Sequence, residues 1–245
     1  MHYLLDADVY LHRILNVLVH DIQWDTKGDI WTTHVNMEEA RVAFDQTIKK
    51  VTKDATDGYT LCFSDSGDPW RLAAYPGYKQ NRKDTKKPVG FGALKEYAIG
   101  AHKSVIWKNL EADDVLGLIA TDPKWGGKTI MVSEDKDLLT IPGRLILRGK
   151  PVHTSLEEAN YNWMMQTLCG DAVDGYPGLK GYGVVKAGNL LEDTHPNNYW
   201  AVTKGAFRKA GETEEFALSQ ARCARILRHG EYDFDNKKVN LWNAE

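Results

Sequence analysis

The sequence predicts an α/β fold built on a mostly parallel sheet. Short β-rich segments alternate with helical patterns through residue 154, three of those segments end in aspartate, and helical patterns dominate from residue 156 onward. Alternating strands and helices are typical of a parallel sheet covered by helices. Ligands bind such sheets at the carboxyl ends of the strands, so we expect the aspartates to meet in one cleft.

The predicted strands are short apolar runs bounded by polar residues. In chain order they are YLLDAD (3–8), YTLCFSD (59–65), SVIW (104–107), TIMVSED (129–135) and RLILR (144–148). Apolar residues at helical spacing predict a helix over residues 37–53, and another is expected after Glu111. Ser155 with Glu158 three residues later predicts a helix start, and Gly170 its end.

Composition excludes several classes of protein. The chain has 245 residues, 42% of them hydrophobic and 27% charged, which is typical of a soluble globular protein. No apolar run is long enough to cross a bilayer, and the N-terminus lacks the basic region of a signal peptide. The three cysteines form no pair motif, so we expect reduced thiols and a cytoplasmic protein.

Nine carboxylates lie at predicted strand ends, at a helix start and beside a glycine-rich hairpin. They are Asp6, Asp65, Glu111, Asp113, Asp114, Asp135, Asp137, Asp171 and Asp174. Each group alone fits a helix cap, a turn or a solvated loop. Gathered in one cleft they would repel each other unless cations intervened. All-oxygen ligands suit Mg²⁺ or Mn²⁺, and two such ions are the usual clamp for phosphodiester hydrolysis.

Residues 71–108 carry the main charge asymmetry, with nine Lys or Arg against two acids, although the net charge of the chain is −3. A basic run alone is most often a solvated surface. Here Tyr75, Tyr78 and Phe91 are interleaved with the cations. Cations track phosphates and aromatic rings stack on unpaired bases, so the segment predicts contact with nucleic acid.

Five motifs follow one another in an order typical of a known family. They are LLDADVYLHR, FSDSGDPWRLAAYPGYKQNR, EADD, SEDKDLL and GDAVDGYPGLKGYG. In this order they resemble the 5′-nucleases, or flap-endonuclease superfamily, which includes the 5′-nuclease domain of bacterial DNA polymerase I. Length and the run YNWMMQTLCGDAVDGYPG look most like the short free-standing 5′–3′ exonucleases of phages. The chain departs from the family pattern at three positions: Ala7 replaces the usual Gly, Asp8 the usual Ser or Thr, and Gly175 the usual Asn. Asp8 is either an additional acid outside the inner metal shell or an exposed helix cap.

The resemblance implies a PIN-like, mostly parallel sheet flanked by helices, with a helical arch and a helix-hairpin-helix DNA-binding subdomain. It places a nuclease core with a basic arch segment (about 71–103) in residues 1–154. A helical region packed on that core follows in residues 155–245. The family pattern also assigns the carboxylates to two metal ions. The acids that form the inner metal shell or lie close to it are Asp6, Asp65, Glu111, Asp113, Asp135 and Asp137. Those that complete the second site, some of them through water, are Asp114, Asp171 and Asp174.

By the same resemblance, Lys79 and Arg82 supply positive charge to the phosphate in the transition state, and Tyr78 stacks on the base nearest the cut. Arg71 supports this region or forms a structural ion pair. The hairpin glycines present backbone N–H groups to duplex phosphates. The expected DNA-binding residues are Arg71, Lys83, Lys86, Lys87, Gly178, Lys180, Gly181, Gly183 and Lys186.

The implied activity is a Mg²⁺- or Mn²⁺-dependent 5′–3′ exonuclease or structure-specific 5′-nuclease acting on DNA. Its products would carry 5′-phosphates, and K⁺ is a candidate at the hairpin. Alternatives are a phage RNase H acting on RNA·DNA hybrids, a PIN-type ribonuclease, and a non-catalytic nucleic-acid binding module. We expect a monomer in the host cytoplasm, with no membrane contact. It would take part in phage DNA replication, degradation or primer removal, with replication proteins engaged in trans.

Overall fold

A six-stranded sheet lies at the centre of the computed structural model, which describes residues 1–243. In this range the strands are β1 (His2–Asp6), β2 (His20–Gln23), β3 (Trp31–His34), β4 (Tyr59–Cys62), β5 (Ser104–Val105), β6 (Thr129–Ser133), β7 (Gly143–Leu147), β8 (Lys150–Thr154), β9 (Tyr232–Asp233) and β10 (Lys238–Val239). The helices are α1 (Ala7–Leu18), α2 (Met37–Val51), α3 (Arg71–Ala74), α4 (Phe91–Ala101), α5 (Ala112–Ala120), α6 (Leu156–Cys169), α7 (Val184–Glu192), α8 (Tyr199–Lys209) and α9 (Glu214–Ala224).

The sheet has the strand order β5-β4-β1-β6-β7-β8. All its neighbouring strands run parallel except β7 and β8, which are antiparallel. The predicted α/β class with a mostly parallel sheet is therefore confirmed. Because β4, β1 and β6 are adjacent and parallel, their carboxyl ends lie side by side at one edge of the sheet.

Helices cover both faces of this sheet. On one face α1, α2 and α4 bury Leu11, Phe44 and Leu94 completely against the strands. On the other face α5 buries Val115 and Leu116. Burying one such side chain contributes about 1.5–3 kcal/mol, so both faces hold the sheet firmly. The rigid sheet in turn fixes the positions of the strand ends.

The helices α6 to α9 pack around a second apolar cluster that includes Trp163 and Phe207. As predicted, Ser155 caps α6: its hydroxyl accepts from the Glu158 N–H at 3.1 Å, and Glu158 accepts from the Ser155 N–H at 2.7 Å. The predicted end of α6 at Gly170 is also found, with φ +67°. After α9 the chain returns to the sheet face covered by α5, where Ile226 and Leu227 are buried.

The arch segment, residues 71–103, contains α3, a 3-10 turn over Gln80–Arg82, a stretch without regular structure over residues 83–90, and α4. The sequence did not predict the antiparallel hairpin of β2 and β3, whose Trp24 and Trp31 side chains are exposed. Within residues 1–243 none of the helices combines the length and the apolar character that crossing a bilayer requires.

Candidate active site

Carboxylates gather where the parallel strands end. Asp6 is the last residue of β1, and Asp65 and Asp135 follow β4 and β6. The helix α5 starts at the same edge, with Glu111 at its N-cap and Asp113 in its first turn. The acids of four motifs, separated by up to about 130 residues in the chain, therefore reach one edge of the sheet, as the sequence predicted.

Asp6 is buried, Asp113 is partly buried, and both have a raised pKa. Burial, and then the charges of Asp8 and Asp135, raise the pKa of Asp6 to about 7, although the hydroxyl of Ser133 donates to its Oδ2 at 3.0 Å. Burial, followed by the charges of Asp6, Asp135 and Glu111, holds the pKa of Asp113 well above its usual range. This corner of the site therefore has an excess of negative charge.

A second group of acids adjoins the first. Burial, and then the charges of Asp135, Asp171 and Asp174, raise the pKa of Asp137 to about 7. The side chain of Gln166 on α6 donates to Asp137 Oδ1 at 2.7 Å. Asp171 Oδ1 accepts the N–H groups of residues 173 and 174 at 2.6 and 3.0 Å, which closes the turn before the hairpin. The fifth motif thus reaches the acids of the fourth.

Two cations of the second motif face this acidic surface. Lys79 Nζ donates to Glu111 and lies 3.6 Å from Asp174 Oδ1, and an Arg82 nitrogen lies 3.1 Å from the same oxygen. Burial alone would raise the pKa of Glu111, but the charges of Arg71 and Lys79 lower it overall. The structure therefore brings Lys79 and Arg82 together with Glu111 and Asp174, two of the acids to which the sequence assigned metal ions.

Asp114 and Arg71 correct two expectations. Both are buried, and the guanidinium makes two hydrogen bonds to Asp114, one to Glu111 and two to the carbonyls of Cys223 and Arg225. Asp114 also accepts from the Trp70 indole and the backbone N–H of Leu227. With these donors on both of its oxygens, Asp114 could hold a metal ion only after losing this network, and the buried Arg71 cannot reach DNA. The structural ion pair is the correct alternative for Arg71.

Tyr78 and Gly178 were also assigned wrongly. Tyr78 is only 3% exposed, and its hydroxyl donates to Glu111 at 2.8 Å and to Asp174 at 3.0 Å, so its ring cannot stack on a base. The N–H of Gly178 donates to Gln220 at 2.9 Å rather than facing a phosphate. Its φ is +63°, and a Cβ there would lie 2.3 Å from the backbone nitrogen of Gly170. Gly178 is therefore a packing glycine between α6 and the hairpin.

The remaining predicted contact residues lie on the surface. Lys83, Lys86 and Lys87 are exposed in the stretch between the 3-10 turn and α4. Lys180, Gly181, Gly183 and Lys186 are exposed around the hairpin and the start of α7. Gly181 has φ +80° with open space around it, so its backbone is accessible to a ligand.

An open cavity of about 620 Å³ lies between the basic segment and two of the predicted acids, Asp65 and Glu111. Its walls include Asp8, Glu111, Lys79, Arg82, Lys83 and Lys87. A polyanion in this cavity would meet lysines and arginines on one side and carboxylates on the other. Such a mixed lining is suited to holding phosphate next to bound metal ions.

Several residues of the site were missed in the sequence. Ser133 donates to Asp6 and accepts the N–H of Asp135 at 3.1 Å, so it links the first and fourth motifs. The Asn81 amide donates to the carbonyls of Ala172 at 2.8 Å and Val173 at 3.2 Å, and the Lys79 N–H donates to the Asp174 carbonyl at 2.7 Å. The second motif is thus tied to the fifth. In the sequence, Ser133 and Asn81 were marked only by their membership of the fourth and second motifs.

Within residues 1–243, no three acidic, histidine or cysteine side chains are close enough together to hold a metal ion in their present rotamers. Hydrogen bonds explain this: Glu111 is turned toward Lys79, and Asp174 toward Tyr78 and Arg82. Metal binding at these acids therefore requires side-chain rotation, to which the partly buried Lys79 and the exposed Arg82 would have to adjust.

Comparison with known proteins agrees with this geometry. Residues 1–161 match the family model of the 5′-3′ exonuclease N-terminal resolvase-like domain. The exonuclease of Escherichia phage T7 is 31% identical over 277 aligned positions, which cover 97% of this chain and 92% of that relative. The structure of the T5 D15 protein co-crystallised with metal ions superposes with a TM-score of 0.62 at 14% identity, covering 92% of this chain and 89% of that one.

A second solved structure has the same fold. It is the bacteriophage T5 D15 flap endonuclease in a pseudo-enzyme-product complex with DNA and metal ions, with a TM-score of 0.53 at 14% identity, covering 91% of this chain and 92% of that one. The family model spans most of the chain, and the T7 relative matches it along nearly its whole length. On these grounds the chain belongs to the 5′-3′ exonuclease family.

Proposed function

We propose that this protein hydrolyses phosphodiester bonds of DNA near 5′ ends or flaps, using two Mg²⁺ or Mn²⁺ ions, and leaves 5′-phosphate products. The observation that carries the proposal is the meeting of the acidic sheet edge with a cavity lined by lysines and arginines. The T5 structures with divalent metal ions and with DNA support it by their common fold.

The residues fit divalent metal ions in chemistry and in charge. All available donors are carboxylate oxygens, which hard cations such as Mg²⁺ and Mn²⁺ prefer. Burial, followed by the charges of neighbouring acids, raises the pKa of both Asp6 and Asp113, and a bound cation would offset that cost of ionisation. We assign one ion to Asp6, Glu111, Asp113 and Asp135, and the other to Asp137, Asp171 and Asp174.

Bound metal ions would lower the pKa of a water molecule and stabilise the leaving oxygen. The protein's own residues do the rest. Ser133 orients Asp6 through its hydroxyl, and Gln166 orients Asp137 through its amide. Lys79 and Arg82, which reach Glu111 and Asp174, are close enough to turn toward a phosphate placed over these acids. Positive charge held at this position would stabilise the negative charge that accumulates on the phosphate in the transition state.

The uncut duplex is assigned to the hairpin. Exposed Lys180 and Lys186, with the accessible backbone of Gly181, would contact its phosphates while the lysines of the arch segment receive the cleaved strand. We infer a nuclease core over residues 1–154 and a DNA-holding helical region from residue 155 onward. By the likeness to a phage exonuclease, we place the activity in the cytoplasm of a bacterial host.

The test uses 5′-labelled duplex DNA, flap DNA and RNA·DNA hybrid, each with Mg²⁺, Mn²⁺ or EDTA. We expect 5′-phosphate products from DNA with either metal and none in EDTA. Asp6→Asn should abolish cleavage, whereas the matched control Asp54→Asn, an exposed acid on the loop after α2, should cleave normally. Full cleavage in EDTA contradicts the proposal, and preference for the hybrid would favour the RNase H alternative.

A further inference from the structure

We propose that a groove beside the edge strand β5 binds an extended, acidic peptide segment of a partner protein, which adds a strand to the sheet. The groove is a cavity of about 540 Å³ on the sheet face covered by α5. None of the nine predicted acids lines it. The proposal therefore concerns an interaction surface separate from the nuclease activity.

The open edge of β5 is the first argument. β5 is the outermost strand of the sheet, next to β4. The Lys103 carbonyl accepts the N–H of Leu61 at 2.9 Å, so the backbone of Lys103 faces β4. Because successive residues of a strand direct their backbone groups to opposite sides, the N–H and carbonyl of Ser104 face away from the sheet. Within residues 1–243 no strand pairs with this side of β5. Such an unpaired edge is a template for another strand.

The apolar lining of the groove is the second argument. Val105 and Trp107, two positions apart, both line it, as expected for one face of a strand. Leu118 and Ile119 contribute from the last turn of α5. Phe234, directly after β9, is 54% exposed and packs edge-to-face on Trp107 with ring centroids 4.8 Å apart. An exposed aromatic ring beside an open cavity is suited to receiving an apolar side chain.

The charge around the groove is the third argument. Lys103 and Lys124 line it and are exposed. Asp122 lines it too, but its carboxylate is paired with Lys124 at 2.8 Å. A neighbouring cavity of about 570 Å³ shares Tyr232 with the groove and is lined by one acid and three more lysines, Lys108, Lys237 and Lys238. Five lysines against two acids give this surface a charge that is complementary to an acidic partner.

An extended peptide satisfies all three features at once. Its backbone can pair with Ser104, while alternate side chains point to one face and enter the apolar groove. Acids flanking those side chains would meet the lysines. Duplex DNA offers phosphates to the lysines but neither a strand for the edge nor an apolar side chain for the cavity, so the peptide is the better fit.

The position of the groove leaves the candidate active site open. Leu118 and Ile119 lie at one end of α5, and Glu111 caps the other end at the acidic edge of the sheet. A helix of nine residues spans about 14 Å. A partner held in the groove would therefore travel with the enzyme without covering the acids.

Peptide binding to the full chain, in EDTA and without DNA, tests the proposal. The probe is a fluorescein-labelled synthetic peptide, Asp-Glu-Val-Ser-Phe-Ser-Val-Glu-Asp, followed by fluorescence anisotropy. We expect saturable binding that weakens about fivefold or more when the phenylalanine becomes alanine, or when the four acids become amides. Two further peptides carry N-methyl groups on alternate amides, one set for each edge of the strand. Only one of the two should lose binding, because an added strand uses one edge.

Matched variants of the protein locate the site. Lys103→Glu and Phe234→Ala should each weaken binding of the unmodified peptide about fivefold or more. The control Lys49→Glu makes the same charge change at an exposed position of α2, on the other face of the sheet, and should change the affinity less than about twofold. Melting curves verify that each variant is folded, and the exposed position of Phe234 makes its variant the safer one.

Several outcomes would overturn the proposal. They are the absence of saturable binding up to about 1 mM peptide, equal weakening by Lys49→Glu and Lys103→Glu, unchanged binding in Phe234→Ala, and tolerance of N-methyl groups on both edges. A labelled DNA duplex is the competing ligand. If Lys103→Glu and Phe234→Ala weaken duplex binding as much as peptide binding, the groove is a DNA surface instead. Since neither metal nor cleavage enters these measurements, their failure leaves the proposed nuclease function standing.

Discussion

Replacing Arg71 with alanine should destabilise the whole protein, although the sequence places this residue in a DNA-binding segment. The guanidinium is 3% exposed and its partner Asp114 is fully buried. Five hydrogen bonds connect Arg71 with Asp114, Glu111 and the carbonyls of residues 223 and 225. Alanine would leave the Asp114 carboxylate as an uncompensated buried charge, because the indole of Trp70 and one backbone N–H would be its main remaining donors.

Breaking a buried ion pair by removing one partner destabilises a protein by about 3–5 kcal/mol. For a chain of this size 1 kcal/mol corresponds to about 2–4 °C in melting temperature. We therefore expect Arg71→Ala to melt roughly 6–20 °C below the wild type. The Arg82–Asp174 pair gives the contrast, since the Arg82 side chain is 42% exposed and a surface pair contributes about 0–1 kcal/mol.

The measurement is thermal and urea unfolding, followed by circular dichroism in EDTA, of the wild type, Arg71→Ala and Arg82→Ala. The double variant Arg71→Met with Asp114→Leu is a further control, because replacing both partners by apolar side chains removes the stranded charge. It should recover much of the stability that Arg71→Ala loses.

An Arg71→Ala variant that melts like Arg82→Ala would refute this reasoning. If that variant also bound DNA more weakly than the wild type, Arg71 would be a surface contact and the buried network would not describe the protein in solution. A double variant less stable than Arg71→Ala would show that the packing around the pair, rather than the charge of Asp114, carries the effect.

Two further predictions concern pH and the hairpin. Burial, helped by neighbouring acids, raises the pKa of Asp6 and Asp137 from 3.8 to about 7. Over this range the folded chain therefore binds more protons than the unfolded chain, so the melting temperature in EDTA should fall as the pH rises from about 4 to 7. Saturating Mg²⁺ should reduce this fall. A melting temperature that rises with pH in EDTA would contradict the prediction. Lys180→Ala should weaken binding to duplex DNA and lower the slope of log affinity against log salt concentration by about one, whereas Gly178→Ala should mainly lower stability. The two variants are compared by binding titrations at several salt concentrations and by melting curves. Equal slopes for Lys180→Ala and the wild type would contradict the hairpin contact.

Much of the fold followed from local patterns. The strand segments before Asp6, Asp65 and Asp135 combine apolar residues with polar ends, and a parallel arrangement then requires the ends to lie at one edge. Ser155 with Glu158 identified the start of α6, because a capping box involves only neighbours in sequence. These features need no knowledge of distant residues.

The errors share one physical cause, which is that hydrogen bonds between distant segments decide the role of a side chain. Asp113 and Asp114 look alike in sequence, but burial and neighbouring acids raise the pKa of Asp113, whereas Asp114 forms a buried ion pair with Arg71. The hairpin glycines also look alike in sequence. The backbone of Gly170 leaves no room for a side chain at Gly178, whereas the space around Gly181 is open. The β2–β3 hairpin was missed because its side chains are mostly exposed and provide no apolar alternation.

The contact between Arg71 and the carbonyl of Arg225 joins residues 154 positions apart. During synthesis at about 5–20 residues per second, Arg225 is made on the order of ten seconds or more after Arg71. Until then the guanidinium lacks two of its acceptors, and the Asp114 carboxylate in the first turn of α5 lacks the backbone N–H of Leu227. A ribosome carrying an unfinished chain would therefore hold a nuclease whose acidic edge is not yet supported. The segment after α9 therefore completes the buried hydrogen bonds of Arg71 and Asp114 only when nearly the whole chain has been made.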